Sequence, residues 1–392
     1  MAKNKRKIQI IILILIFVVY FFIAARPIPR ETVLSHRWTS SLLDDDLSIG
    51  EQSGSLVPFT LGARFGYVDS RGQFAVNRTR INDMYLSPNM WAEYSAELSD
   101  ILINDIARNT EININNARGY PILLDDRVFI LGSEQNSLSE IDDNGNILWT
   151  YEFGAPLTCI DAASGLVLTG SLDGVVEVFN SGGERIFYFE PGGSRYSVIL
   201  GCAISRDGTY IGIVSGIDQQ RFLLFERFGS AGGEYKIVYH EFLETGFRRP
   251  VRVLFIDEDR RIVFERAGGI GCYSIKSRRG MYIPLDGEIA AIDESGDQRF
   301  LFLITSHSVL DKKLIGIRFP QDRLFGVSRT PAVDSIFLKA PFKSEDIFLG
   351  RTRIFDSRIY GSRTEGSRAG SLRSSVIIGG GASLISFDLE EK

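Results

Sequence analysis

Ligand chemistry is scarce in this chain. Its 392 residues include three His and four Met, so metal or haem ligation has few side chains to draw on. His36, His240 and His307 lie far apart, and no G-x-S-x-G motif supplies a nucleophile for them. Cys159, Cys202 and Cys272 are an odd number without close spacing, which argues against a disulfide framework or a zinc site. Each sits among apolar residues and reads as a small buried hydrophobe; an extracytoplasmic setting would leave one pair open to oxidation. Sustained helical periodicity is missing beyond the N-terminus, which disfavours a parallel α/β fold. Basic excess is missing too. Setting aside Lys3, Lys5, Arg6 and Lys7, the rest of the chain has nine more acids than bases. Such a body repels phosphate, so no nucleic-acid partner is expected.

The longest uncharged run is Ile8–Ala25, IQIIILILIFVVYFFIAA. As a helix of eighteen residues it spans roughly 27 Å, close to the hydrocarbon thickness. The basic cluster before it predicts a cytoplasmic N-terminus. The competing reading is a cleaved signal peptide, but the run is long for one, and Ile23 and Pro27 fit a cleavage site poorly. The expected layout is a basic cytoplasmic tail (1–7), a single-pass transmembrane signal-anchor (8–25), a linker (26–55) with Pro27, Pro29 and Asp44–Asp46, and a body (56–392). In a bacterium this is an inner-membrane protein with a periplasmic domain.

The body has a strand rhythm. From Pro156 to Glu190, four short apolar runs are separated by Ala163-Ser164-Gly165, Asp173-Gly174 and Asn180-Ser181-Gly182-Gly183. Such turn residues supply the positive φ that tight hairpins need. Four antiparallel strands in about 35 residues make one blade of a β-propeller. Innermost strands are expected near Pro121, Pro156, Ser197, Val251, Glu288 and Val333, with an insertion around Gly229 to Gly246. One blade before Pro121 brings the count to seven; six and eight stay open. The fold class is therefore all-β, a propeller of about seven four-stranded blades preceded by one transmembrane helix. The last strands either complete the final blade or pair with the N-terminal strand and close the ring.

Two stretches carry a family resemblance. Asp142-Asp143-Asn144-Gly145-Asn146-Ile147-Leu148-Trp149 resembles the quinoprotein-like repeat, in which a D-x-x-G turn leads into a Trp-bearing strand. Ala203-Ile204-Ser205-Arg206-Asp207-Gly208 resembles the WD-repeat turn, without the usual Gly-His and Trp-Asp pairs. The resemblance implies a propeller and speaks to fold more than function. A quinoprotein enzyme would need calcium-binding acids, and many carry adjacent cysteines; no Cys-Cys pair occurs. The sialidase Asp-box has one residue between Asp and Gly, whereas Asp207 and Gly208 are adjacent. Asp125-Asp126 and Asp142-Asp143 fit turns better than acid–base catalysis. The glycines of 268–271 and 379–381 precede no helix and so lack a phosphate cradle.

No catalytic residue, cofactor or metal ligand is assigned, and the protein is expected not to be an enzyme. The expected function is a protein-interaction scaffold in bacterial envelope assembly. The alternative is a propeller for a small ligand or saccharide, or a degenerate quinoprotein-like enzyme. Arg195, Tyr196, Arg248 and Arg249 lie in two basic loops and are the expected partner-binding residues, since Arg and Tyr are common interface anchors. A Ser/Arg-rich stretch, Arg351 to Arg373, carries six arginines against Asp356 and Glu365, a charge pattern suited to anionic lipid or an acidic partner. Asn77-Arg78-Thr79 matches a glycosylation sequon.

Overall fold

A computed structural model describes residues 13–17, 20, 32–43, 56–95, 100–229, 233–243, 246–293, 300–319, 336–354 and 373–391. The chain divides into two compact units, Met1–Leu34 with Glu390–Lys392, and Ser35–Leu389. In the first, residues 13–17 and 20 are helical. The remainder of the apolar segment 8–25 and the basic tail lie outside the described residues. Among the described residues no helix is long and apolar enough to cross a membrane.

The second unit is built from strands. After β1 (Thr32–Ser41), blade 1 holds β2 (Val57–Leu61), β3 (Arg64–Val68) and β4 (Phe74–Thr79). Blade 2 holds β5 (Asp83–Leu86), β6 (Met90–Tyr94), β7 (Ile101–Asp105) and β8 (Thr110–Ile114). Blade 3 holds β9 (Gly119–Leu124), β10 (Arg127–Gly132), β11 (Ser137–Ile141) and β12 (Ile147–Glu152). Blade 4 holds β13 (Leu157–Ala163), β14 (Leu166–Ser171), β15 (Val176–Phe179) and β16 (Arg185–Phe189). Blade 5 holds β17 (Ile199–Ile204), β18 (Tyr210–Ser215), β19 (Arg221–Phe228) and β20 (Glu234–Phe242). Blade 6 holds β21 (Val253–Ile256), β22 (Arg261–Arg266), β23 (Gly269–Ser274) and β24 (Arg279–Pro284). Blade 7 holds β25 (Glu288–Ile292), β26 (Phe300–Ser306), β27 (Lys312–Arg318) and β28 (Ile336–Phe342). Blade 8 holds β29 (Ile347–Ile354), β30 (Arg373–Gly380) and β31 (Ser383–Glu391), with β1 added beside β31 as its fourth strand.

The ring therefore has eight blades, one more than the rhythm predicts. The miscount lies before Pro121, where one expected blade is two. Blade 2 was hard to read because its strands are short and polar residues interrupt them, as in Ile101–Asp105. Two further expectations are corrected. The strand near Val333 is β28, the fourth strand of blade 7; blade 8 starts at β29, because the seventeen residues between Arg318 and Ile336 stretch the interval. The insertion expected at Gly229 to Gly246 holds β20, an ordinary fourth strand on a long hairpin. Inside the stretch read as a linker, β1 forms and completes blade 8.

Local chemistry explains the turns. Asp142 accepts backbone N–H groups from Asn144 and Asn146 on one carboxylate oxygen, at 2.9 and 2.8 Å. Asn180 does the same for Gly182 and Glu184, and Asp69 for Arg71 and Gln73. Three residues on, Gly145, Gly183 and Gly72 take φ of 83°, 76° and 86°, a region closed to most side chains. The D-x-x-G pattern is thus a self-capping hairpin turn.

The same glycines receive the neighbouring blade. A Cβ on Gly183 would meet the Trp149 ring at 2.5 Å, and one on Gly72 would meet Trp38 at 2.7 Å. Both pairs are 34 residues apart. By this correspondence β3 and β4 match β15 and β16, the third and fourth strands of a blade. Among the described residues, blade 1 thus lacks an innermost strand. The core lies in the seams: the described apolar clusters each join two neighbouring blades, as Leu168, Val178, Ile213 and Phe225 join blades 4 and 5. Inner strands come close where side chains are small. Val251 donates to the Leu200 carbonyl at 2.9 Å, and a Cβ on Gly201 would stand 2.2 Å from the Val251 oxygen. Asn77 of the sequon is 4% exposed and donates to the Leu42 carbonyl, so it is closed to glycosylation.

Candidate functional site

In a four-stranded meander, the link to the next blade leaves from the end that carries the second-to-third turn. Residues 190–198, 216–220, 243 and 246–252 therefore share one end of blades 5 and 6. Backbone bonds tie them together. Ile217 donates to the Tyr196 carbonyl at 3.2 Å and Gly216 to that of Val198 at 2.8 Å. The Gln220 side chain completes the joint. It is 1% exposed, donates to the Gly216 and Phe247 carbonyls at 3.0 and 3.2 Å, and accepts from Phe247 N–H at 3.2 Å. The buried amide thus holds the second expected basic loop against this turn, and the backbone bonds of Ile217 and Gly216 hold the first.

This joint brings three of the four expected residues to an open surface. Arg195 and Arg248 are exposed, and Tyr196 is 52% exposed with the Arg195 guanidinium 5.4 Å from its ring centre. Arg249 is different. It makes a two-pronged ion pair with Glu265 at 2.6 and 3.2 Å, and Glu265 is buried. That hydrogen-bonded carboxylate raises the Arg249 pKa above its ordinary value. Arg249 is a structural bolt rather than a free contact, a distinction that residue type alone does not carry.

Sequence reading missed three members of the surface. Phe242, at the end of β20, is 53% exposed and pairs in register with Arg221 of β19. Arg221 packs beside Gly193, and burial lowers its pKa. Gln220 is the third. Strand alternation through β20 would have turned Phe242 outward, the one signal available. Among the described residues, none of Arg195, Arg221 and Arg248 is paired with a carboxylate. Beside them a groove of about 540 Å³ is lined by Ile217, Asp218, Gln219, Gln220, Phe242 and Leu243. The arrangement offers positive charge, aromatic faces and a trough of mixed polarity that carries Asp218.

Replacing Gln220 with alanine leaves the Phe247 N–H and two carbonyls short of a partner. A stability loss of about 2 kcal/mol is expected, the usual cost of stranding buried polar groups. The Gln220→Ala urea midpoint should fall, and proteolysis between residues 243 and 250 should quicken. An unchanged cleavage rate there would show that the backbone bonds suffice.

A second concave feature lies at the inner strands. A cavity of about 450 Å³ is lined by residues of β5, β9, β13, β17 and β21, among them Tyr85, Cys159, Asp161 and Cys202, and by Arg206 and Arg252 just outside these strands. Its polar groups are largely committed. Asp161 accepts Ala162 and Ile204 N–H at 2.9 and 2.8 Å, and Arg252 donates to the Ile289 and Ala290 carbonyls. The Asp125-Asp126 pair is committed likewise: Asp126 accepts from the Asn89 amide of the preceding blade at 2.7 Å, and Asp125 from Gly165 N–H of the next at 3.4 Å. Among the described residues no three His, Cys, Asp or Glu side chains gather to hold a metal ion. Residues 355–372, most of the Ser/Arg-rich stretch, lie outside the described residues.

A family model described as a beta-propeller protein matches residues 1–361. An uncharacterized protein of Treponema pallidum (strain Nichols) is 28% identical over 300 residues, 74% of this chain and 78% of that protein. Among solved structures, the computationally designed Ika8 protein aligns with 87% of this chain and 98% of its own, at 11% identity and a TM-score of 0.52. Kluyveromyces lactis Hsv2p aligns with 59% of this chain and 82% of its own, at 15% identity and a TM-score of 0.45.

Proposed function

The chain belongs to that beta-propeller family, and from this premise we propose that it is a non-catalytic interaction scaffold. Its partner is a protein carrying an acidic, extended segment, received on the surface of Arg195, Tyr196, Arg221, Phe242 and Arg248. One observation carries this reading. Among the described residues, three guanidinium groups without a carboxylate partner, two on loops and Arg221 at the start of β19, stand around a joint that a buried glutamine helps to tie. Unpaired like charges on a rigid surface repel one another, and that cost is recovered when an acidic partner binds. A fixed platform also spares the partner the entropy of ordering loops.

The proposal extends to location. An apolar run of eighteen residues behind four basic ones supports a membrane anchor with its N-terminus in the cytoplasm. The scaffold then acts outside the cytoplasm, in the envelope. Carbonate-washed membranes should retain the full-length protein, and protease added to intact spheroplasts should digest the propeller. Release by carbonate, or protection from protease, would overturn this placement.

The partner reading is tested by a photo-crosslinking side chain at position 196 in intact cells. A discrete protein adduct is expected. The Arg195→Glu/Arg248→Glu variant should lower its yield about tenfold or more, since reversing rim charges acts mainly on encounter. The urea midpoint of that variant should stay within error of the parent. Equal capture by both proteins, or no adduct, counts against the reading.

A further inference from the structure

Two of the three cysteines meet across a blade seam. Cys159 lies on β13 and Cys202 on β17, the innermost strands of neighbouring blades, and both line the central cavity. Fixed contacts flank them on either side. Before them, the Thr158 hydroxyl donates to the Ile199 carbonyl; after them, Ile204 N–H donates to Asp161 at 2.8 Å. Both strands carry a bulge here, between Leu157 and Cys159 and between Ile199 and Gly201. A bulge re-aims side chains out of simple alternation. Gly170 supplies the space, since a Cβ there would stand 2.7 Å from the Cys159 sulfur. These contacts set Cys159 and Cys202 beside each other across the seam. Cys159 and Cys202 are part-buried, whereas Cys272 is buried at 1%.

We propose that Cys159 and Cys202 form a reversible disulfide that staples blades 4 and 5 at the wall of the central cavity. The inference stands apart from the partner reading, because it rests on the cavity and not on the loop surface. The chemistry is thiol–disulfide exchange with a small-molecule or protein disulfide as oxidant. The Cys159 thiolate attacks one sulfur of the oxidant, whose S–S bond breaks and releases one thiolate. The Cys202 thiolate then attacks the mixed disulfide at Cys159 and releases the second. Two protons and two electrons leave the pair, and the oxidant becomes two thiols. Burial pushes the Cys202 thiol above its ordinary value. Its thiolate is therefore scarce near neutrality, and closure of the bridge quickens as the pH rises.

Purified full-length protein is incubated with oxidised glutathione and digested without reduction. A single cross-linked peptide joining Cys159 and Cys202 is expected, with Cys272 left as a free thiol. The rate should rise severalfold from neutral pH to about pH 9. Cys202→Ser should stop at a glutathione adduct on Cys159, and Cys272→Ser should behave as the parent. The cross-linked form should unfold at a higher urea concentration than the reduced form, because the bridge restricts the unfolded chain. Stable glutathione adducts on the parent without the bridge would overturn the proposal, as would bridging to Cys272.

Discussion

Removal of residues 35–42 should abolish cooperative folding of the propeller. These residues are few, yet they close the ring. Arg37 donates to Ser375 at 2.9 Å and reaches Asp388. Trp38 donates to the Ser70 carbonyl at 3.1 Å and Ser40 to that of Gly72 at 2.6 Å. Leu42 is buried at 1% and donates to the Ala382 carbonyl at 2.9 Å. About 1 kcal/mol for each bond and about 2 kcal/mol for each of Trp38 and Leu42 give about 8 kcal/mol. A domain has only about 5–15 kcal/mol in total. The cut also bares the edge of β31, and an unpaired edge invites aggregation. Insoluble expression, or a broad non-cooperative urea transition, is the expected result. Trp38→Ala gives a graded version, with a midpoint lowered by about 2–3 kcal/mol and cooperativity kept. A truncated protein that unfolds as sharply as the parent would show that the other strands of blade 8 close the ring unaided.

The second large effect lies in blade 6. Asp257 and Arg261 form an ion pair at 3.2 Å, with side chains 4% and 2% exposed. The Arg261 guanidinium also lies 5.7 Å from the centre of the Phe319 ring, in blade 7. Asp257 has φ of 58°, so asparagine, which tolerates that region, isolates the loss of charge from backbone strain. Asp257→Asn should cost about 3–4 kcal/mol, because the buried guanidinium loses the charge of Asp257. Adding Arg261→Met should recover at least half of that, since the buried charge is then gone. The urea midpoints of the two variants decide the matter. A double variant no more stable than the single one would place the damage in the turn rather than in the charge.

Both predictions depend on relations that residue type did not reveal. Arg249 and Arg248 are neighbours in a basic loop, yet one is bolted to a buried glutamate and the other is open. Gln220 had no visible role, because its partners Gly216 and Phe247 come together only when two loops dock. Cys159 and Cys202 looked like separate core residues, since they stand 43 positions apart and the blade repeat that aligns them is irregular. Trp38 and Gly72 repeat the 34-residue spacing of Trp149 and Gly183, so this seam was present in the sequence as a pattern. It stayed hidden because Trp38 lies in a stretch with the polarity of a spacer.

The sequence by itself determined the strand class, the turns and their glycines, and most of the blades, because these follow from the period-two pattern and from local backbone bonding. It also determined that acids at strand ends serve turns, since an Asp carboxylate satisfies its own hairpin. Only the tertiary structure decided that the blades number eight, that β1 closes the ring, which arginine is bolted to a buried glutamate, and which two thiols meet. Each of these depends on what a residue faces across a seam, and facing is a property of the closed ring rather than of the chain.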